Sequence, residues 1–255
     1  MKTFRADLHV HTVLSPCASV EMIPPLIVQE ARQNGIQLIA ITDHNASANI
    51  SAVMEAARGT DLVVLPGMEL QTKEEVHLLC LFDTLEQVFS WQKQVDSLLP
   101  NLPNNIEYFG EQFVVDATGD FIRREERLLL NSVNLTLDEA AAQVTALGGL
   151  AIPAHIDRSA NGLIAILGLI PPGFEALELS RHISPAEACR KHPQVATYPL
   201  IQSGDVHLLD GFLGTTYFQV ESPTIAELRL ALARKEGRSV WVTATPKTDK
   251  NCPNL

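Results

Sequence analysis

The 255-residue chain carries 19 Lys and Arg against 30 Asp and Glu, a net charge of −11, and is 46% hydrophobic with 5% aromatics. That length fits one large domain, and the aliphatic composition suits buried parallel strands flanked by helices rather than a disordered chain. The acidic balance opposes broad DNA or RNA binding, while a start of Met-Lys-Thr-Phe-Arg-Ala-Asp without a signal-like apolar core, and apolar runs too short for a bilayer, lead us to expect a soluble, cytoplasmic protein with no membrane partner.

In chain order, Thr3–Val10 reads as a strand, and Met22–Gln33 as a helix entered through Pro24 and Pro25 and stopped at Asn34-Gly35. Gln37–Thr42 is the next strand. A helix over Ala48–Arg58 leads to a strand at Asp61–Leu65, and Val76–Phe82 follows closely as a fourth. The rhythm then breaks over 83–134, where a helical stretch (Leu85–Leu98) gives way to Pro-, Asn- and Gly-rich sequence and a charged run around Asp116–Arg127. This segment is expected to be an insertion or flap over a domain spanning 1–245. Alternation resumes with a helix at Thr136–Leu147, a strand at Leu150–Ala154, strands at Glu175–Leu179 and Tyr198–Ser203 around a helix at Pro185–Lys191, and a last helix at Thr224–Lys235. Residues 246–255 read as a polar tail. Repeated strand-helix units predict an α/β fold with a parallel sheet.

The chemistry-bearing residues recur at strand ends. Asp7, His9 and His11 alternate with Leu8 and Val10, so the strand period of two points the polar side chains one way. Alone, a His-x-His pair is a common way to end a strand. Here Asp43-His44, Glu69, His155 and Asp205-x-His207 close further strands, and His77 begins one. In a parallel barrel the carboxyl ends of strands gather at one mouth, which would bring these residues into one site. Neutral imidazoles and carboxylates are ligands for Zn, Mn or Fe. The four cysteines, Cys17, Cys80, Cys189 and Cys252, form no Cys-x-x-Cys pair and read as reduced thiols.

These segments, Asp-Leu-His-Val-His at 7–11, Thr-Asp-His at 42–44, Gly-Met-Glu at 67–69, His77, Ala-His at 154–155 and Gly-Asp-Val-His at 204–207, resemble the polymerase and histidinol phosphatase (PHP) domain family. The resemblance covers nearly the whole chain outside 83–134 and the tail. It implies a distorted seven-stranded (β/α)7 TIM-like barrel holding two to three divalent metals. On that pattern His9, His11, Glu69 and Asp205 hold one metal, and Glu69 bridges to a second held by His77 and His155. His44 and His207 hold a third. The family supplies a further His or Asp to the third metal shortly after the His-x-His pair, whereas this chain has Thr12-Val13-Leu14-Ser15-Pro16-Cys17. Either Cys17 ligates as a thiolate, favouring a softer metal, or it is a small buried residue after a Pro turn and the third site is weak.

The resemblance and the ligand set imply a phosphoesterase in which a metal-activated water attacks a phosphate ester. Asp7 and Asp43 flank the ligands, and are read as groups that orient imidazoles or, less favoured, move a proton. Arg158 and Arg181 each follow a strand end and suit a phosphate clamp, although Asp157 could instead pair with Arg158. His182 is a candidate for leaving-group protonation. A small phosphorylated metabolite or nucleotide is the expected substrate, with no stable nucleic-acid binding. An exonuclease on short oligonucleotides and a non-catalytic metal-retaining regulatory module are the alternatives. A metal-dependent amidohydrolase would usually show a bridging Lys at a strand end, and the nearest candidate, Lys73, lies in a polar loop.

Overall fold

The computed structural model describes residues 1–243, so the predicted tail at 246–255, with Cys252, lies outside the described residues. Strand β1 (Lys2–Val10) is followed by α1 (Pro24–Gln33), β2 (Leu38–Ile41), α2 (Ile50–Ala56), β3 (Val63–Gln71) and β4 (His77–Leu81). Next come α3 (Leu85–Leu98), α4 (Ile106–Phe109), β5 (Phe113–Val115), β6 (Phe121–Arg124), α5 (Leu137–Ala146) and β7 (Leu150–Pro153). The chain continues through α6 (Leu163–Leu167), β8 (Leu177–Leu179), α7 (Pro185–Lys191), β9 (Leu200–Gln202), β10 (Thr216–Val220), α8 (Ile225–Leu232) and β11 (Ser239–Val242).

The main sheet has seven strands in the order β11-β10-β1-β2-β3-β4-β7. It is mixed rather than parallel: β1, β2 and β3 run together, while β4 is antiparallel to both β3 and β7, and β10 is antiparallel to β1 and β11. Chain length explains β4. The link from Gln71 to His77 is a tight turn with Thr72 N–H donating to Val76 O, and a link that short can only form a hairpin, because a parallel return needs a crossover of a dozen or more residues. β4 thus lies where the sequence predicts a strand but runs against the parallel barrel expected, and β10 and β11, whose alternation is short and mixed with polar residues, are additional to the predicted strands.

Two-stranded β8–β9, itself parallel, lies across the open side of this curled sheet. Ile156 N–H donates to Glu178 O from the β7 side, and Val206, just after β9, forms a parallel bridge to Val10 at the end of β1. The fold is therefore α/β with a curled, mixed seven-stranded sheet in place of the parallel sheet expected.

Both faces of the central strands are buried, as expected for strands covered by helices on one side and enclosed on the other. In β2, Ile39 and Ile41 join a cluster with Ile27, Val53 and Trp91, while Leu38 and Ala40 join a second with Leu8, Leu79, Ile152 and Phe218, to which α8 adds Ile225 and Leu228. Of the 83–134 stretch, α3 begins with a Thr84–Gln87 capping box and buries Val88, Trp91 and Val95 in the first cluster. The β5–β6 hairpin rests against the loop after β1, with Phe113 N–H donating to Val13 O and the Asn49 amide bonded to Phe113 O and Val115 N–H.

Candidate metal centre

The strand ends gather as the sequence predicts, and the hairpin turn explains why His77 starts its strand: the antiparallel β4 begins where β3 ends. Glu69, 1% exposed, stands at the centre. Its Oε1 lies 3.2 Å from His9 Nε2, 2.7 Å from His77 Nδ1 and 3.0 Å from His155 Nε2, and its Oε2 lies 3.3 Å from His11 Nε2 and 3.0 Å from His44 Nδ1. Asp205 Oδ1 approaches His9 Nε2 at 3.3 Å and His11 Nε2 at 3.4 Å.

Tautomers follow from the partners on the far side of each ring. His9 Nδ1–H donates to Glu178 Oε2 at 2.9 Å. Ser15 Oγ–H donates to Asp43 Oδ1 and so accepts from His11 Nδ1–H, at 2.7 and 2.9 Å. His207 Nδ1–H donates to Asp205 O at 2.9 Å. Each ring thus turns a bare Nε2 lone pair towards the centre.

That inward arrangement is incomplete by itself. His9 Nε2, His11 Nε2, His44 Nδ1, Glu69 Oε2 and Asp205 Oδ1 are buried and have no hydrogen-bond partner. Lone pairs facing carboxylate oxygens repel unless a cation or a proton lies between them, and unpartnered buried polar atoms are costly. The donor atoms of His9, His11, Glu69 and Asp205 lie within 4.8 Å of one another, as do those of His44, Glu69 and His77, and those of His11, His44 and His207. Imidazole and carboxylate in these numbers fit divalent transition metals. The first group is the set that the family resemblance implies for one metal. In the second His44 stands with Glu69 and His77, and His155 Nε2 lies 3.3 Å from His77 Nδ1.

Protons occupy part of this space when no metal does. Burial would lower His9, but Glu69, Glu178 and Asp205 raise it well above the usual histidine range. Burial likewise opposes His11, which the close carboxylates of Asp205 and Glu69 lift to about 9. Burial, with the charge of His11, pushes His207 down to about 4, and burial also takes His44 well below its ordinary value. The carboxyls of Glu69 and Asp205, though buried, are held well below the usual range by the surrounding imidazoles.

Two ligand residues have left-handed backbones, His155 at φ 28° and Asp205 at φ 50°, conformations that cost L-residues energy and need support from their surroundings. Glu178 Oε2 accepts from His155 N–H at 3.0 Å. Asp7 accepts from Gly204 N–H at 2.9 Å and from Leu213 and Gly214 N–H at 2.8 and 3.3 Å. Gly204 is required there, since an added Cβ would lie 2.5 Å from Gly211 O.

Asp7 and Asp43 are both 0% exposed. Asp43 binds Thr12 N–H and Oγ1 as well as Ser15, and burial raises both carboxyls, Asp7 to about 6. Neither lines the cavity over the cluster.

That cavity, about 400 Å³, is lined by Cys17, His44, Glu69, Gln71, His77, Leu130, Arg158, Asn161, Asp205 and His207. Arg158 Nη1 donates to Asp205 Oδ2 at 2.6 Å, while Asp157 accepts from Ser180 N–H and Oγ–H. The alternative Asp157–Arg158 pair does not form, because Asp157 is already engaged, and Arg158 links to the cluster instead. Arg181 and His182 are exposed on the turn after β8; Arg181 donates to Gly211 O, and neither lines the cavity. Cys17 is not the buried residue of the alternative reading: its thiol lines the cavity, 3.1 Å from His207 Nε2. Desolvation of the sulfur by the surrounding cavity wall, with the charges of Glu69, Asp205 and Asp43, pushes that thiol up to about 12.

Sequence reasoning missed Glu178 and Ser15. Glu178 carried a usable signal, a charged residue between Leu177 and Leu179 in a short apolar strand, whereas nothing distinguishes Ser15 from any loop serine.

Among solved structures, the lesion-specific endonuclease PfuEndoQ of Pyrococcus furiosus is similar over 94% of this chain at 22% identity and a TM-score of 0.72. The chain spans 58% of that protein's length. Endonuclease Q in complex with a 27-mer duplex substrate bearing an abasic lesion aligns over 93% of this chain and 58% of its own, at 22% identity and a TM-score of 0.70. A Bifidobacterium adolescentis protein assigned as a metal-dependent phosphoesterase aligns over 80% of this chain and 87% of its own, at 20% identity and a TM-score of 0.55. No curated protein sequence matched the chain. The sequence profile of the PHP domain matches residues 7–141, more than half of the 255 residues, and the chain belongs to the PHP domain family.

Proposed function

We propose that this protein is a metal-dependent phosphoesterase acting on a small phosphorylated metabolite or nucleotide. One observation carries the reading: bare nitrogens of His9, His11 and His44 and bare oxygens of Glu69 and Asp205 converge beneath a cavity whose wall includes Arg158. When bound there, divalent metals supply a nucleophilic water at neutral pH and neutralise phosphate oxygens. His9, His11, Glu69 and Asp205 would hold one metal, and Glu69, His77 and His155 a second.

The chain's own groups do the rest. Glu178 and the Ser15–Asp43 pair fix the tautomers of His9 and His11. Arg158, exposed by 43% and already reaching into the cluster, binds a phosphate oxygen by exchanging its contact with Asp205 for one with substrate. Asp7 holds the Gly204–Asp205 turn. We take 1–245 to act as one catalytic domain, with 83–134 walling the cavity through Leu130. The cavity volume suits a phosphoryl group with a modest organic portion, and the net charge of −11 disfavours long polyanions.

A second reading, cleavage of a phosphodiester in nucleic acid, is favoured by the likeness to lesion-specific endonucleases over nearly the whole chain. Metal-loaded protein assayed against phosphomonoesters, cyclic and bisphosphorylated nucleotides, short oligonucleotides and lesion-bearing duplex separates the two. The proposal requires turnover of a small phosphate ester that disappears in the His9→Ala, His155→Ala double variant. Turnover confined to oligonucleotides or duplex would favour the second reading, and silence across the panel would favour a metal-retaining module without catalysis.

A further inference from the structure

Nine of the ten described residues lining the cavity present nitrogen, oxygen or sulfur atoms, and Leu130 is the one aliphatic side chain among them. It lies between β6 and α5, outside any helix or strand, where chain is ordinarily mobile. This stretch is fastened on both sides of Leu130 instead. Leu129, Val133 and Leu135 are buried in the first core cluster. Leu129 N–H donates to the buried Gln112 Oε1 at 2.9 Å, Val133 N–H donates to Gln71 O at 2.8 Å, and Gln71 Nε2 donates to Ser132 Oγ at 3.2 Å.

Asn45 supplies the central anchor. Fully buried, its Nδ2 donates to Leu129 O and to Asn131 O, both at 2.8 Å, the carbonyls on either side of Leu130. Its Oδ1 accepts from Gln71 N–H at 3.0 Å, its own N–H donates to Glu69 O at 3.0 Å, and its carbonyl accepts from Gln92 Nε2 at 3.1 Å. One residue therefore ties the wall at Leu130 to β3, which carries Glu69, and to α3. Its backbone is left-handed, at φ 49°, a conformation asparagine adopts more readily than most residues. Moving Leu130 outward would break both amide bonds of Asn45 and draw Leu129 out of the core, so this wall is a fixed boundary of the cavity.

We propose that Leu130 is the specificity-determining residue of the cavity and Asn45 its positioning residue: together they admit a phosphate ester whose organic group is a short chain or a single ring and exclude a fused-ring group. A volume of about 400 Å³ is at the small end of ligand cavities, so one fixed aliphatic side chain decides how much of it the organic group can use. Leu130 also gives that group its apolar contact, while the metal ligands and Arg158 face the phosphoryl end. The inference rests on the reading that this cavity takes a phosphoryl group.

The test measures binding of inorganic phosphate and of methyl-, phenyl- and naphthylphosphonate to manganese-loaded protein by titration calorimetry, in wild type, Leu130→Ala, Leu130→Phe and Asn45→Asp. The readout is the ratio of each Kd to that of methylphosphonate, which a general loss of structure or of metal does not move. In wild type naphthylphosphonate should bind at least about tenfold more weakly than phenylphosphonate. Leu130→Ala should shrink that penalty by about tenfold, and Leu130→Phe should extend it to phenylphosphonate. Asn45→Asp, whose carboxylate cannot donate to Leu129 O and Asn131 O, should shrink it as Leu130→Ala does. A penalty absent from wild type, or equal in wild type and Leu130→Ala, overturns this inference and leaves the phosphoesterase reading intact. A penalty that Leu130→Ala relieves and a folded Asn45→Asp keeps overturns the role given to Asn45. Failure of wild type to bind phosphate or any phosphonate overturns both readings.

Discussion

Glu178 offers the sharpest test of how the centre is built, because one carboxylate oxygen serves two ligands. Its Oε2 accepts from His9 Nδ1–H at 2.9 Å and from His155 N–H at 3.0 Å. Both residues are at most 1% exposed, so Glu178→Ala leaves two donors buried and unpartnered, at about 1–3 kcal/mol each. The expected loss is therefore about 2–6 kcal/mol, a large part of the stability of a typical domain. His9 becomes free to adopt the wrong tautomer, and His155 loses the anchor of its left-handed backbone, so metal affinity should fall about 10- to 100-fold. Glu178→Gln separates geometry from charge. Its amide oxygen can accept both bonds, while its nitrogen takes the place of Oε1, which has no partner. Stability should then fall by only about 1 kcal/mol and affinity by about tenfold. Urea unfolding of the metal-free proteins and competition against a chromophoric chelator measure the two quantities. Wild-type stability and affinity in Glu178→Ala would refute the argument.

Arg158→Ala should lower kcat/KM for a phosphate ester by about 10- to 100-fold, whereas Arg181→Ala should leave it near wild type; steady-state kinetics on both variants decide whether the cavity lining identifies the phosphate contact. Metal loading at pH 7 should release about two protons, because His9 and His11 are raised above that pH in the metal-free protein and ligate only when neutral. Titration calorimetry in buffers of different ionisation enthalpy reads this directly, and a buffer-independent enthalpy would contradict it. The same shift has a stability sign. The His11 contribution is fully present below its ordinary value of 6.5 and is lost as pH rises through about 9, so the metal-free protein should be less resistant to denaturant at pH 9.5 than at pH 6.5 in its His11-dependent part, with His11→Ala flattening that difference. Away from the site, Gly149→Ala would place a Cβ 2.6 Å from the Phe82 ring, and thermal unfolding should show a loss of about 1–3 kcal/mol from overpacking.

The ligand positions were legible because imidazoles and carboxylates are conspicuous at the ends of apolar strands, and because the strand period fixes which side chains share a face. The groups holding those ligands were less legible. Ser15 and Thr12 act through Asp43, and Glu178 reaches His9 from a strand 169 positions away in sequence. Arg158 and Arg181 look alike in sequence, each following a strand end, yet one reaches Asp205 and the other Gly211 O. That difference depends on loop direction, which composition does not encode.

From sequence alone came the α/β class and the strand-end clustering, which follow from periodicity, breakers and residue chemistry acting over a few positions, and the likeness to the PHP family, which rests on the motifs at 7–11, 42–44, 67–69, 154–155 and 204–207. The tertiary structure decided the rest. The short link after Gln71 reversed β4, β10 and β11 extended the sheet beyond β1, and β8–β9 carried Glu178 under His9. Strand pairing and the approach of remote side chains depend on the whole chain closing on itself, which local pattern constrains but does not specify.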